Sequence, residues 1–281
     1  MPVDPLTLRP LLPDDELTVL CVRGRVPERR EYPPGFLGNW QEGDYSYLFF
    51  LEPQSASITQ LLAEEAHLQV VERFRLSYRQ WQEGRAEPCR VGRIMVQPLA
   101  AEGFDVPSDC LMIKLDAGLV FGDGCHPTTR DCLEAVQRAC SAADIRRVLD
   151  LGTGSGLLAL AAARLGCRQV VAVDLNLLAA RTAQRNVRLN SLAATVAVVN
   201  GRAEDVCRVE VDLLIANIGY QVLADIIRSG ALSPPKWFVF SGLQTSEAGA
   251  VADLLAQRGA VVVKRWQSEK IWHTFLGFIP A

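Results

Sequence analysis

Histidine is scarce in this chain of 281 residues, with three in all, and none of the eight cysteines stands in a C-x-x-C pair. That removes the spacings on which zinc sites are built, so no metal centre is expected. No apolar stretch reaches the roughly 20 residues that a helix needs to cross a bilayer. The opening Met1-Pro-Val-Asp-Pro-Leu6 sets an acid and prolines where a secretory leader carries a basic start and an apolar run. A cytoplasmic protein with reduced thiols, independent of membranes, is therefore expected. A basic surplus is missing too. The formal net charge is −3 and the pI is near 5.7, which argues against bulk nucleic-acid binding. Charge is uneven: residues 1–120 hold 12 basic and 18 acidic side chains, residues 121–281 hold 17 and 14. An acidic first half is either a solvated surface or a means of steering a basic partner.

Composition is otherwise ordinary for a globular chain, at 49% apolar and 22% charged, and the length leaves room for two domains. Residues 1–88 read as a small α+β domain. Strands are expected at Leu17–Val22, Tyr45–Leu51 and Val70–Gln80, where Phe74, Leu76 and Tyr78 alternate with Arg73, Arg75, Ser77 and Arg79. A helix is expected over Ser57–Leu68, and Pro34–Gly43 reads as a turn-rich link. Residues 89–125 form a connector with two short strands, Ile94–Val96 and Leu111–Leu115. From residue 126 strands and helices alternate. The strands are 147–152, 170–175, 195–200, 211–217 and 236–241, and the helices 127–140, 155–165, 177–190, 220–229 and 246–258. This rhythm predicts an α/β domain whose mostly parallel sheet is covered on both faces. Two last strands, Ala260–Gln267 and Ile271–Phe278, are joined by Ser268-Glu-Lys270 and so form an antiparallel hairpin.

Within that domain, Val148-Leu-Asp-Leu-Gly-Thr-Gly-Ser-Gly156 runs from a strand through a loop with glycine at every second position into an alanine-leucine helix. Such glycines allow a sharp turn and a close approach of ligand to backbone, and the helix start offers unpaired N–H groups. Eighteen residues after Gly156 a second strand ends in Asp174, placed to bridge ribose hydroxyls. An adenosine cofactor follows from this pattern, in two versions. Counted from Gly154, G-x-G-x-x-A reads as a dinucleotide fingerprint completed by Ala159, which keeps NAD open. Counted from Asp150, D-x-G-x-G-x-G favours S-adenosylmethionine, as do the strand ends Asn200-Gly201 and Ile215-Ala-Asn-Ile218 and the hairpin. Asn217 is neutral and carries a carbonyl acceptor. With the Ile218 carbonyl it would hold the hydrogens of an amine and aim the lone pair at a methyl group. The plainer alternative is that Asn217 ends a strand or caps the next helix.

One further stretch, Leu115-Asp-Ala-Gly-Leu-Val-Phe-Gly-Asp-Gly-Cys-His-Pro-Thr-Thr-Arg-Asp-Cys-Leu133, resembles the segment before the first strand in the PrmA family. Those bacterial enzymes methylate protein eleven of the large ribosomal subunit. The resemblance continues through the glycine loop, Val171–Asp174 and Ile215–Ile218, from about Trp81 to residue 281, while residues 1–80 match loosely. It implies a class I methyltransferase fold, Rossmann-like with the terminal hairpin, over residues 126–281, and substrate selection by residues 1–88. By position it implies Thr129 on the amino-acid portion of S-adenosylmethionine, Gly152 along methionine and ribose, Asp174 on the ribose hydroxyls and Asn217 beside the methyl group. Phe121 and His126 fall in a loop closing over the cofactor. Asp150, Gly154, Gly156 and Thr128 complete the expected cofactor-binding set, and Asn217 is the expected catalytic residue.

Plainer readings stand beside these. Thr128 and Thr129 are able to cap a helix, and His126 to end a turn. His67 and His273 read as surface or core residues, and the five tryptophans as packing. Cys125 beside His126 is no nucleophilic pair, since adjacent extended residues point apart. Two positions depart from the family pattern: Asp123 stands where threonine is usual, and Gly219-Tyr220 where a leucine-type continuation is usual. The expected activity is methyl transfer to a protein amine, lysine ε or N-terminal α, of a ribosomal protein. Another protein, an RNA or a small molecule remains an alternative acceptor, and a non-catalytic cofactor-binding protein an alternative class.

Overall fold

The computed structural model describes residues 11–26, 34–42, 44–51, 55–82, 87–99, 107–230, 232 and 236–280. Two compact units result. One comprises Met1–Gly84 with Gly118–Val120 and Asn176–Leu178, the other Arg85–Ala117, Phe121–Leu175 and Ala179–Ala281.

The first unit carries β1 (Glu16–Arg23), β2 (Phe36–Glu42), β3 (Tyr45–Leu51), α1 (Ser55–Glu64), β4 (Gln69–Ser77) and α2 (Tyr78–Gln82). Its strands form an antiparallel sheet in the order β2-β3-β1-β4. β1 is internal and buried along Leu17–Val22, which is why its sequence is an apolar run rather than an alternation. Leu20, Val22, Leu48 and Phe50 pack against Ile58 and Leu61 of α1. Phe49 meets the Trp81 ring edge-on at 5.2 Å.

Three expectations need correction here. The segment read as turn-rich is largely strand: Phe36–Glu42 pairs with β3, and Gly43 lies outside the described residues. Gly38 is needed for packing, because a Cβ there would come within 2.6 Å of Leu178 Cβ. The strand expected to run to Gln80 stops at Ser77. There the Ser77 N–H donates to Gln80 Oε1 at 2.8 Å and the Gln80 N–H donates to Ser77 Oγ at 3.2 Å, a reciprocal exchange of the capping-box kind that starts α2. The helix expected over Ser57–Leu68 begins earlier and ends at Glu64. β4 is an edge strand exposed from Gln69 to Arg75, so its alternation does not produce a buried face.

The second unit opens with β5 (Cys89–Val91), β6 (Ile94–Pro98) and β7 (Leu111–Leu115), a three-stranded sheet in that order. It continues with α3 (Pro127–Ala142), β8 (Arg147–Leu151), α4 (Leu157–Arg164), β9 (Gln169–Asp174), α5 (Leu177–Leu189) and β10 (Val196–Asn200). Then follow α6 (Ala203–Val206), β11 (Leu213–Asn217), α7 (Tyr220–Arg228), β12 (Lys236–Gln244), α8 (Thr245–Gln257), β13 (Val261–Ser268) and β14 (Trp272–Ile279). β5 and the one-turn α6 were not expected; both are too short to show a periodicity. The large sheet runs β10-β9-β8-β11-β12-β14-β13. β8 to β12 are parallel, and β14 is antiparallel to both β12 and β13. This is the Rossmann-like sheet with a terminal hairpin, with β14 wedged inside. No helix among the described residues is long and apolar enough to cross a membrane.

Helices cover both faces. Apolar residues of α3, α4 and α5 pack on one with Val148, Val170, Leu213 and Ile215. Those of α7 and α8 pack on the other with Leu149, Leu151, Val173, Leu214 and Ala216. Strand residues alternate between faces. Asp150, Asp174 and Asn217 therefore share the face of Val148, Val170 and Leu213, on which α3 and α4 lie. Chain order reverses around β8, so its carboxyl end opens the crevice where ligands bind in such sheets.

The wedge position of β14 is tight. A Cβ on Gly277 would lie 2.4 Å from the Val261 carbonyl oxygen and 2.5 Å from Phe238 Cζ. Gly277→Ala is therefore expected to cost about 1–3 kcal/mol, read as a lower urea midpoint with an unchanged m-value. Wild-type stability in that variant would mean the β12-β14-β13 packing is looser than described.

Candidate functional site

The glycine loop after β8 is held from beneath by Asp150 and from the side by Asp174. Asp150 is fully buried, and its Oδ2 accepts from the Thr153 hydroxyl at 2.6 Å. Burial, reinforced by the nearby Asp174 charge, pushes its pKa up to about 7 against the pull of the Thr153 hydrogen bond. Its Oδ1 has no partner among the described residues. Asp174 closes β9, and its Oδ2 accepts from the Gly154 N–H at 2.9 Å. Asn200 pairs with Asp174 across β9 and β10 and donates to its carbonyl at 2.9 Å.

The helix expected from residue 155 begins at Leu157, and the two N–H groups just ahead of it are taken up internally. Ser155 N–H donates to the Phe121 carbonyl at 3.0 Å and Gly156 N–H to that of Thr153 at 2.9 Å. The Ser155 hydroxyl donates to the Gly122 carbonyl at 2.5 Å. Residue 155 thus ties the glycine loop to the 121–126 segment, so the two motifs read separately from the sequence form one structure. Glycine is required at the contacts. A Cβ on Gly152 would come within 2.2 Å of Ile218 Cγ2, and one on Gly154 within 2.6 Å of the Phe121 carbonyl oxygen. Gly156 lies against Ala183 of α5.

His126 is the N-cap of α3 and Pro127 its first residue. Pro supplies the helical φ and lacks the N–H that would go unused there. Thr128 and Thr129 are both buried on the first turn. The Thr128 hydroxyl lies 2.8 Å from His126 Nδ1 and accepts from Asn217 Nδ2 at 3.3 Å. Thr129 Oγ1 has no partner among the described residues. A buried hydroxyl left in that state calls for an explanation, and a polar ligand group supplies one. Asn217 does end β11 but does not cap α7, whose N-cap is Gly219. Gly242 of β12, at φ +83°, faces it: a Cβ there would lie 2.8 Å from the Ile218 carbonyl oxygen and 3.2 Å from Asn217 Oδ1. Both carbonyls thus depend on a glycine that nothing in the local sequence marked.

The aromatic side chains pack around His126. Trp272, read as packing, meets the His126 ring edge-on at 5.2 Å, and Phe121 meets it at 5.1 Å from another direction. Only contacts between distant segments bring this row together. Asp123 accepts from the Cys125 N–H at 2.9 Å, the local turn role a threonine would fill more weakly. His273 is buried; Arg265 Nε donates to its Nδ1 at 3.2 Å and Thr245 Oγ1 lies 3.1 Å from Nε2. Burial first, then the Arg265 charge, lower its pKa, so it is a neutral core group. His67 binds the Arg25 carbonyl at 2.9 Å on the surface.

A family model described as "Ribosomal protein L11 methyltransferase (PrmA)" matches residues 52–277, extending into residues 1–80, where the resemblance is loose. The ribosomal protein L11 methyltransferase of Pelotomaculum thermopropionicum is 38% identical over 181 residues, 64% of this chain and 58% of that protein. That of a Cyanothece strain is 35% identical over 65% of this chain and 64% of its own length. The chain thus matches about three fifths of the length of these curated relatives. A crystal structure of ribosomal protein L11 methylase from Lactobacillus delbrueckii subsp. bulgaricus superposes with a TM-score of 0.62 at 25% identity, covering 69% of this chain and 99% of that one.

The environment of Asp150 has a thermodynamic consequence. An unfolded aspartate titrates near 3.9, the folded one near 7. Between those values the native state retains a proton that the unfolded chain has released, so stability falls as pH rises and the loss is complete above about 7. Asp150→Asn keeps an acceptor for Thr153 and removes the charge. It is expected to exceed the wild type in urea stability at pH 8 by up to about 4 kcal/mol and to match it near pH 4. A difference independent of pH would place the native carboxylate in the ordinary range.

Proposed function

The chain belongs to the PrmA family, and from that premise we propose that it is an S-adenosylmethionine-dependent methyltransferase acting on a protein amine, with ribosomal protein L11 as substrate. The observation that carries the reading is the placement of Asn217. Its neutral amide stands at the end of β11, on the sheet face that bears Asp174, beside the first turn of α3, where the Thr129 hydroxyl has no partner among the described residues.

When bound, S-adenosylmethionine supplies an electrophilic methyl group. In this reading Asp174 holds the ribose hydroxyls, and the backbone of Gly152, Gly154 and Gly156 lies along the nucleoside. Thr129 donates to the amino-acid portion, and Phe121 covers it. Asp150 acts from below through Thr153. Asn217 Oδ1 and the Ile218 carbonyl accept the hydrogens of the incoming amine and aim its lone pair. A lysine amine titrates near 10.4 in water and must be neutral to attack. Desolvation at an apolar, aromatic mouth lowers that value, and the proton passes to water. The rate enhancement then rests on proximity and alignment. The first unit selects the substrate.

The test is transfer of labelled methyl from S-adenosylmethionine into an extract of the protein's own cells, resolved into proteins, RNA and small molecules. Label in ribosomal protein L11 is the expected result. Label in RNA or a small molecule would overturn the substrate reading, and cofactor binding without transfer would overturn the enzymatic one. Asp174→Ala is expected to weaken S-adenosylmethionine binding by about 1.5–3 kcal/mol in calorimetry. Asn217→Ala is expected to lower kcat roughly 10- to 100-fold with little change in cofactor affinity.

A further inference from the structure

A primary amide presents a carbonyl on one side and an NH2 on the other, and a half-turn about its last bond exchanges them. An asparagine that orients an amine therefore works in one of two positions, and something must choose. The inference drawn from this rests on the reading of Asn217 as the amine-orienting group.

We propose that Thr128 and His126 are positioning residues that lock the amide of Asn217 with its carbonyl toward the acceptor, and that the Thr128 hydroxyl is spent on this lock rather than on the cofactor. One arrangement makes hydrogen bonds of all three contacts, whereas a hydrogen on His126 Nδ1 would cost the Thr128 N–H this acceptor. The Thr128 backbone N–H donates to His126 Nδ1 at 3.3 Å, so Nδ1 is an acceptor and the ring hydrogen sits on Nε2. Thr128 Oγ1 lies 2.8 Å from the same Nδ1, and its single hydrogen points there. What it turns toward Asn217 is a lone pair, and only an NH2 group satisfies it at 3.3 Å. The reversed amide would set two oxygens face to face with no hydrogen between them. Asn217 Oδ1 is thereby held on the side of Gly242, where the missing side chain leaves it clear. The His126 ring is fixed in turn by Phe121 and Trp272, edge-on at 5.1 Å and 5.2 Å. Adjacent threonines thus divide the work: the hydroxyl of Thr128 is taken up inside the protein, and that of Thr129 has no partner among the described residues.

The test reads the lock directly. The side-chain amide pair of Asn217 is identified in a ¹⁵N–¹H spectrum of the full chain by its loss in Asn217→Ala. Thr128→Val, close in shape but without the hydroxyl, is expected to displace that pair and to lower kcat on ribosomal protein L11 at least tenfold. It should leave the Kd for S-adenosylmethionine within twofold, and Thr128→Ser should restore all three readings. His126→Asn, whose Oδ1 can stand where Nδ1 stands, is expected to keep the amide pair in place, and His126→Ala to displace it. In an Asn217→Ala background, Thr128→Val should lower kcat no further, because the two residues act as one unit. An unmoved amide pair in Thr128→Val overturns the lock. A loss of cofactor affinity as large as the loss of kcat makes Thr128 a ligand contact and overturns the division between the threonines. Failure of the wild type to transfer methyl to any acceptor refutes the methyltransferase reading instead, and the amide pair still decides the lock.

Discussion

Three segments far apart in sequence converge on the loop after β8 at points where only a hydrogen fits. Ile218 presses on Gly152, the Phe121 carbonyl on Gly154, and Ala183 of α5 on Gly156. Ile218 follows Asn217; Phe121 opens the segment that ends in His126; α5 follows the strand that ends in Asp174. A side chain at any of the three glycines would push away one of the pieces from which the site is assembled. The glycine requirement is therefore steric before it concerns a ligand. The Ser155 bonds to residues 121 and 122 then hold the approach of Phe121 to Gly154 in place.

The same face of the sheet carries polar atoms that the fold itself leaves unsatisfied. Asp150 Oδ1 and Thr129 Oγ1 are buried without partners among the described residues, and Asp150 is forced well above its ordinary pKa. Buried polar groups cost free energy when unpaired. The position of these two, at a strand end and at a helix start, matches a region shaped for binding at the expense of stability. Neutral Asn217 fits that setting: a charged group beside two carboxylates would alter their titration, whereas an amide orients a partner without adding charge.

Much of this was legible because it depends on residues close together in sequence. The glycine loop, Asp174 and Asn217 are strand ends, and a strand followed by a turn shows itself within a dozen residues. The terminal hairpin was legible for the same reason. What escaped depends on distant partners. β2 looked like a turn because Gly38 is glycine on account of Leu178. Gly242 is glycine because of the carbonyls after β11. Trp272 looks unremarkable until its ring meets His126, 146 positions away. α2 is different: its Ser77-x-x-Gln80 signal was present, but the alternation through Tyr78 pointed the other way.

The wedge position of β14 bears on how the chain is made. Among the described residues β13 has no sheet neighbour except β14, so it emerges during translation before its partner strand. β12 meanwhile presents a bare edge until residues 272–279 arrive. Synthesis runs at about 5–20 residues per second, so the half-finished sheet holds an open edge, the kind of surface that invites wrong pairing. A chain cut short before Trp272 would lose two strands rather than one. The β13-β14 hairpin can join the sheet only once residues 272–279 are made, and with it comes Trp272, whose ring meets His126.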